Sequence, residues 1–225
     1  MIDNELPGHA ALLETVPDKP RTTPVVGFTG APGVGKSTLI NAYIAHCRAQ
    51  DRRVAVVSVD PSSPISGGAI LGDRLRMAEH AQDDGVYIRS LASRGHLGGL
   101  CRNIGKVIQV IDTAGWDVIV LETVGTGQSE VEVASIADVK VVVNAPGMGD
   151  SVQAMKSGIL EIADILVVNK ADLPQADKTT KELRAMLRLR SNSMTTVAVI
   201  ETVATRHTGI DELSAAIDDC KRPRL

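Results

Sequence analysis

A glycine-rich stretch at residues 30–37 has the composition and spacing of a loop that binds phosphate. It reads Gly-Ala-Pro-Gly-Val-Gly-Lys-Ser and matches the pattern GxxxxGK[ST] at every fixed position. Glycines let successive backbone N–H groups turn toward one anion, and a helix that starts at Lys36 directs its positive dipole end at the same anion. We expect Lys36 to reach the β- and γ-phosphates of a nucleoside triphosphate and the Ser37 hydroxyl to bind Mg²⁺.

The alternative interpretation of this stretch is a glycine-rich turn without a ligand. A short apolar run precedes it and an amphipathic helical pattern follows it, which is the order that a phosphate loop requires. The sequence therefore predicts that the chain binds a nucleoside triphosphate. The residues expected to contact the nucleotide here are Gly30, Pro32, Gly33, Val34, Gly35, Lys36, Ser37 and Thr38.

A second motif, at residues 169–172, indicates which base is bound. The Asp172 carboxylate can accept hydrogen bonds from N1–H and N2–H₂ of guanine, a donor pair that adenine lacks. A site built around such bonds rejects a base that cannot make them, because its own polar groups would stay unpaired. The motif therefore favours guanine, and backbone N–H groups at residues 203–205 are expected to reach guanine O6. The predicted base-binding residues are Asn169, Lys170, Asp172, Val203, Ala204 and Thr205.

Three acidic residues are placed where Mg²⁺ and an attacking water would need them. Asp60 and Glu122 each end an apolar run, and Asp73 lies in the loop after Asp60. The carboxyl ends of parallel strands meet at one edge of a sheet, which is also the edge of the phosphate loop. Because hard oxygen ligands suit Mg²⁺, we expect the three acids to organise the ion together with Ser37. Asp73 has a second interpretation, as the cap of a helix that begins at Arg74.

Two glycine-containing loops have the chemistry of nucleotide-responsive segments. Residues 122–128 read Glu-Thr-Val-Gly-Thr-Gly-Gln, so we expect the Gly125 N–H to approach the γ-phosphate, and Gln128 is a candidate for positioning water. Loops of this kind order and disorder with the γ-phosphate and Mg²⁺ in GTPases. Residues 145–150 have similar hinge chemistry, with an ordinary loop as the alternative.

Short Val- and Ile-rich runs alternate with segments of helical spacing from Pro24 onward. This alternation predicts an α/β fold with a mostly parallel sheet, helices on both of its faces, and ligands beyond the carboxyl ends of the strands. We divide the chain into an N-terminal lead-in, residues 1–23, and one phosphate-loop domain, residues 24–225. The predicted strands are Val25–Thr29, Val54–Val59, Val86–Arg89, Val118–Glu122, Val139–Asn144, Ile165–Asn169 and Val197–Ile200.

The composition argues against several other classes of protein. The 225 residues are 44% hydrophobic and 23% charged, as is ordinary for globular chains. One Trp, two Tyr, one Phe and a net charge of −3 do not fit a nucleic-acid surface. The sequence has no apolar stretch of signal-peptide or bilayer-spanning type, so we expect a cytoplasmic protein without membrane contacts. Three isolated cysteines provide neither a disulfide framework nor a CxxC motif.

Several longer segments resemble the MeaB/ArgK/MMAA family of P-loop GTPases, which have G domains of the SIMIBI type. Members of that family are G-protein chaperones of adenosylcobalamin-dependent acyl-CoA mutases such as methylmalonyl-CoA mutase. They gate cofactor loading, protect or reactivate the mutase, and hydrolyse GTP slowly unless the mutase stimulates them. The resemblance implies this function here, with Mg²⁺ and GTP or GDP as ligands. The segments that carry it are Asp60–Ser63, Ser66–Met77, Arg94–Gly99, Glu122–Glu130 and Gly158–Asp164.

The resemblance also implies roles for individual residues. The loop Gly125–Glu130 would be the second switch, and Asp150 and Lys156 would respond to nucleotide and mutase. Asp60, Asp73 and Glu122 would organise both Mg²⁺ and the attacking water. The full set of residues expected to act in catalysis is Lys36, Asp60, Asp73, Glu122 and Gln128.

The sequence departs from the family pattern in two places. Relatives continue past the position of Ile217 into a helical arm that builds a homodimer, whereas this sequence ends at Leu225. Three alternatives for its assembly therefore stay open. The protein is a monomer, it forms a homodimer through the switch face, or it resembles the compact G domain that is fused within isobutyryl-CoA mutases. His207 stands where relatives often have glycine, and we expect it to alter the base contacts only slightly.

Two other functions use the same phosphate loop. A nickel-insertion GTPase would need His and Cys clusters at ligand spacing, but the five histidines are scattered along the chain. A small-molecule kinase would transfer the phosphoryl group to a metabolite instead of water. That reading conflicts with the guanine motif, and the sequence has no arginine-rich segment of the kind that forms a kinase lid.

Overall fold

The computed structural model describes residues 20–60, 77–80, 82–92, 104–123, 135–147, 162–189 and 197–221, and the single residues 8, 14 and 16. The strands in these ranges are β1 Val25–Thr29, β2 Val54–Asp60, β3 Val86–Ala92, β4 Val118–Thr123, β5 Val139–Asn144, β6 Ile165–Asn169 and β7 Ala198–Thr202. The helices are α1 Lys36–Ala49, α2 Ile104–Asp112, α3 Ala176–Leu189 and α4 Ile210–Lys221, and short 3₁₀ turns cover Ala78–His80 and Ala204–Arg206.

The strands form one sheet in the order β3-β2-β4-β1-β5-β6-β7. Every pairing in it is parallel, so the predicted α/β class is confirmed. All seven predicted strands are present. The strand β3 runs to Ala92 and β7 to Thr202, beyond the predicted ends, because both lie at sheet edges where polar, partly exposed residues interrupt the apolar run that the prediction followed.

The apolar core lies on both faces of the sheet. Alternate residues of the strands pack on one face against α1 and α4, through side chains such as Leu39 and Leu213. On the other face Ile108 of α2 and Leu183 of α3 cover the two halves of the sheet. All residues of β1 and β6 are buried, as expected for central strands covered by helices. In the described ranges no helix is long and apolar enough to cross a bilayer.

The segment before β1 is fastened to the amino end of the sheet. Arg21 makes two hydrogen bonds to the Asp138 carboxylate, at 2.8 and 2.9 Å, and Asp138 also accepts the Val25 N–H at 2.7 Å. Burial raises the pKa of Asp112. Hydrogen bonds from Thr22 and Thr23 outweigh that effect and hold the pKa of this carboxyl group below its usual range. These contacts fix the strand from which the glycine-rich loop departs.

Candidate functional site

The glycine-rich loop links β1 to α1 at the carboxyl edge of the sheet. Gly30 has φ +146°, and a Cβ there would collide with the carbonyl oxygen of Val143. Gly35 has φ +92°, and a Cβ there would lie 2.5 Å from the Asn169 amide nitrogen. Side chains are strained in this backbone region and have no room at either position. Two glycines of the motif are thus required by the way the loop packs on β5 and β6.

Lys36 is the first residue of α1, and its ammonium group turns back into the loop. Its Nζ donates hydrogen bonds to the carbonyl oxygens of Gly30 at 2.7 Å and Ala31 at 3.1 Å. The side chain is buried, so the positive charge is held at the inner rim of the loop. A cation in this position, next to the N-terminus of a helix, attracts an anion such as a phosphate group.

A hydroxyl and two carboxylates lie beside the loop. Ser37 Oγ donates to Glu122 Oε1 at 2.6 Å, which joins the start of α1 to the end of β4. Glu122 and Asp60 are each 1% exposed. Because β2 and β4 are paired in parallel, these two acids stand at neighbouring strand ends. Buried carboxylates are stable only when paired or bound to metal, and this oxygen set fits the hard ligands that Mg²⁺ takes.

Asn169 holds the base-reading segment to the phosphate loop. Its Nδ2 donates to the Val34 carbonyl at 3.0 Å, while its Oδ1 accepts from Thr202 Oγ1 at 3.1 Å and from the Ala204 N–H at 3.2 Å. The side chain is 2% exposed. One amide therefore ties together three segments that are far apart in the sequence: the loop after β1, the end of β6 and the segment after β7.

The other two residues of this motif lie nearer the surface. Lys170 has φ +57° and donates from Nζ to the Gly33 carbonyl at 2.7 Å. The Asp172 carboxylate is one-third exposed and forms an ion pair with Arg206 at 3.5 Å. Asp172 is thus accessible from solvent at one side of the network centred on Asn169.

Two of the backbone N–H groups after β7 are already engaged. The Val203 N–H donates to the Thr208 carbonyl at 3.1 Å, and the Ala204 N–H donates to Asn169. A hydrogen bond from the Ala204 N–H to guanine O6 would therefore be shared with Asn169 or would replace its contact.

Comparison with known proteins identifies the group to which the chain is related. The family model described as "Methylmalonyl Co-A mutase-associated GTPase MeaB" matches residues 1–223. The chain belongs to the MeaB family. A putative GTPase of Pyrococcus abyssi is 50% identical over 193 residues, which are 84% of this chain and 60% of that protein. The Escherichia coli GTPase ArgK is 40% identical over 176 residues, 76% of this chain and 53% of ArgK. This MeaB-family chain therefore spans little more than half the length of such relatives.

Solved structures agree on the fold. The structure of a LAO/AO transport system kinase has a TM-score of 0.76 and 27% identity, and the match covers 98% of this chain and 67% of the other. The hydrogenase maturation factor HypB of Archaeoglobus fulgidus has a TM-score of 0.65 and 20% identity, with 88% and 89% of the two chains covered. This MeaB-family chain has a P-loop GTPase fold.

The structure brings together many of the residues predicted from the phosphate loop, the guanine motif and the acids at strand ends. The phosphate loop, Ser37, Asp60 and Glu122 lie at one edge with Asn169, Lys170 and Asp172. Other predictions fall outside the described residues, and they remain predictions. These are Asp73, Gly125, Gln128, Asp150 and Lys156.

Sequence reasoning missed four residues that contact the predicted site. Ser58 Oγ donates to Glu122 Oε2 at 3.1 Å, and Ser90 Oγ donates to Asp60 Oδ2 at 3.3 Å. Thr202 and Arg206 contact Asn169 and Asp172. Ser58 left a signal in the sequence, because it is a polar residue within a predicted apolar strand and lies two residues before Asp60, on the same side of β2. Ser90 lies beyond the predicted end of its strand at Arg89, so no such signal marked it.

Asn144, at the end of β5, is a further polar residue that the motifs did not identify. It is 1% exposed, and neither amide atom has a hydrogen-bond partner among the residues that the structure describes. A buried amide in that state costs folding free energy. Nothing in the described ranges explains why asparagine stands there.

Proposed function

We propose that the chain binds Mg²⁺ and GTP, hydrolyses GTP slowly, and acts in this way as a chaperone of an adenosylcobalamin-dependent acyl-CoA mutase. The observation that carries the nucleotide part is the Asn169 amide, which bonds to the phosphate loop and to the segment after β7. The two loops predicted to hold phosphate and base are thereby held as one unit. The partner part is supported by the family description, which names methylmalonyl-CoA mutase.

Hydrolysis of GTP requires in-line attack of water on the γ-phosphate, and the protein contributes mainly position and charge. Lys36 is already held at the inner rim of the loop by two carbonyl groups, and its charge would neutralise β- and γ-phosphate oxygens. Ser37, Asp60 and Glu122 would hold Mg²⁺, which when bound adds positive charge against the same oxygens. Asp73 and Gln128 complete the proposed set, the first for the metal and the second for the water.

We expect slow turnover from the chain alone. A fast GTPase adds an arginine finger or a rigidly held glutamine to this arrangement, and no motif of this sequence corresponds to an arginine finger. A partner that positions Gln128 against the water, or that adds an arginine, would supply what is missing. This dependence on a partner is typical of a switch, and it agrees with a chaperone that responds to its client.

The nickel-insertion alternative gains nothing from the structure. In the part of the chain that is described, no group of three or more His, Cys, Asp and Glu side chains is arranged to hold a metal ion. The similarity to HypB, at 20% identity, concerns the fold alone.

A kinase remains a second candidate because the LAO/AO transport system kinase, at 27% identity, is similar over nearly the whole chain. A kinase acting on a small molecule would transfer the γ-phosphoryl group to that molecule. The two candidates differ in the product: a GTPase releases inorganic phosphate from GTP and water alone.

The test is release of inorganic phosphate by the full chain at fixed Mg²⁺, with GTP or ATP, in the presence and absence of a purified adenosylcobalamin-dependent methylmalonyl-CoA mutase. We expect slow release from GTP, none from ATP, and a faster GTP rate with the mutase. A GTP rate that no acyl-CoA mutase changes would reject the partner while leaving the nucleotide site in place. Equal rates with GTP and ATP would reject the guanine assignment.

A further inference from the structure

A row of three polar residues, Ser90, Ser58 and Glu122, crosses three neighbouring strands at the proposed metal site. The register pairs Ser58 of β2 with Glu122 of β4 on one side and with Ser90 of β3 on the other. Side chains directly opposite on neighbouring strands project from the same face. That face is the one that carries α1, since Val54 and Val56 of β2 pack in the same cluster as residues of α1. The row therefore lies on the side from which Ser37 approaches.

Glu122 is held by hydroxyl groups at both of its oxygens. Ser37, on α1, donates to Oε1 at 2.6 Å, and Ser58, on the neighbouring strand, donates to Oε2 at 3.1 Å. The terminal torsion of a glutamate is broad, so a carboxylate fixed at one oxygen only can still rotate. With two donors from two different elements, the plane of the Glu122 carboxylate is fixed.

Ser58 is unusual in its own strand. The strand β2 reads Val-Ala-Val-Val-Ser-Val-Asp and is buried along its whole length, so an aliphatic residue or alanine would pack at this position without any polar cost. A buried hydroxyl is tolerated only when it is hydrogen-bonded. Its acceptor here is a carboxylate that is 1% exposed, and hydrogen bonds to charged groups are stronger than neutral ones.

We propose that Ser58 is a positioning residue for the metal site: its hydroxyl group orients Glu122 so that the carboxylate serves Mg²⁺ or a water bound to it. The inference rests on the proposed function, because it assumes that nucleotide and Mg²⁺ bind together at this edge. The proposed role of Ser58 acts through Glu122 rather than through a contact with the nucleotide. Ser90 has the same relation to Asp60, at the longer distance of 3.3 Å, and its effect is correspondingly weaker.

The test is the Mg²⁺ dependence of GDP dissociation, followed with a fluorescent GDP analogue on the full chain. For Ser58→Ala we expect the Mg²⁺ concentration that half-maximally slows dissociation to rise about three- to thirtyfold, because the metal site loses part of the free energy of one hydrogen bond to a charged group, whose full loss would be worth roughly 10- to 150-fold. GDP affinity in EDTA should equal that of the wild type. Ser58→Thr, which keeps the hydroxyl, should restore most of the Mg²⁺ dependence.

A matched control is Ser214→Ala, which removes a buried serine of α4 and should leave the Mg²⁺ dependence unchanged. Ser58→Cys keeps the size of the side chain but donates weakly, and it tests the same point if the alanine variant does not fold. A Mg²⁺ dependence in Ser58→Ala and Ser58→Cys equal to that of the wild type would overturn the inference alone. If the wild-type chain releases GDP at the same rate in the presence and absence of Mg²⁺, both the inference on Ser58 and the proposed function are overturned.

Discussion

The two halves of the candidate site are built from different interactions. On the phosphate side, Lys36 and the carboxylates of Asp60 and Glu122 are buried, and hydroxyl groups hold the acids. On the base side, the buried centre is the neutral amide of Asn169, while the ion pair between Asp172 and Arg206 lies near the solvent. Charge is buried where phosphate and metal would neutralise it and is left near water where a neutral base would bind.

This difference separates the binding of phosphate and metal from the binding of the base. Buried charge interacts strongly because little water screens it, but it needs a partner of opposite sign. A buried amide is neutral and needs no partner of opposite charge. Its four hydrogen-bonding positions can hold neighbouring segments together whether or not a ligand is present. We therefore expect the phosphate side to depend strongly on its ligands, and the base side to be largely preformed around Asn169.

The largest effect is expected on the phosphate side. Lys36→Ala removes the one charged side chain of residues 30–37, which we propose contacts the β- and γ-phosphates, and we expect GTP affinity to fall roughly 100-fold or more. Calorimetric titration with GTP in Mg²⁺ measures the change. Lys170→Ala is the comparison: that lysine belongs to the predicted base-binding motif and bonds the same loop at Gly33, so we expect a smaller loss of GTP affinity. An equal loss in both variants would remove the distinction between the two lysines.

The next effect concerns folding on the base side. Asn169→Ala leaves the Val34 carbonyl, the Thr202 hydroxyl and the Ala204 N–H without their partner, and we expect the free energy of unfolding to fall by about 2–4 kcal/mol. Thermal unfolding without nucleotide measures it, and the melting temperature should fall on the order of 10 °C.

Asn41→Ala offers a comparison for that experiment. Asn41 also donates from its amide, to Glu79 at 2.9 Å, but the contact is exposed. We expect its loss to cost less than about 1 kcal/mol. If the two asparagine variants unfold alike, Asn169 is not the preformed centre of the base side.

A smaller effect should appear in the choice of base. In Asp172→Asn one carboxylate oxygen becomes an amide donor, so the bond to the guanine amino group is lost and a bond to the corresponding xanthine carbonyl becomes available. We expect GTP affinity to fall about 10- to 100-fold and XTP affinity to rise. Competition of GTP, XTP and ATP against fluorescent GDP shows the change. Unaltered preferences would mean that Asp172 does not contact the base.

The smallest effect is expected for Arg206→Ala. The Arg206 side chain is 69% exposed and its contact with Asp172 is 3.5 Å long, so the ion pair is screened by solvent. We expect GDP affinity to change less than about threefold at low salt and not at all near 1 M salt. Arg188→Ala, which removes an exposed arginine of α3, is the control. A large, salt-independent change would show that Arg206 contacts the nucleotide directly.

The sequence predicted the parts of the site that chemistry restricts to a fixed spacing. A phosphate loop needs its glycines, lysine and serine at set positions, and the guanine motif is equally short, so both are visible without a structure. Strands β1 and β6 were predicted with their observed ends because they are central and buried throughout.

Contacts between distant segments could not be predicted in the same way. The bond from Ser58 to Glu122 depends on the register of two strands, and the bonds of Asn169 depend on how three segments meet. A motif constrains the residues within it but not the register of its neighbours. For this reason the residues that support the ligand-binding groups emerged only from the structure.

We propose that these two halves bind one guanine nucleotide. The most direct measurement is the pair of dissociation constants for GTP and ATP on the full wild-type chain, in one buffer with Mg²⁺, by displacement of fluorescent GDP. We predict that GTP binds roughly 100-fold more tightly than ATP or better, because ATP would leave the polar groups of the base side unpaired. Equal affinities for GTP and ATP would show that the base side does not select guanine.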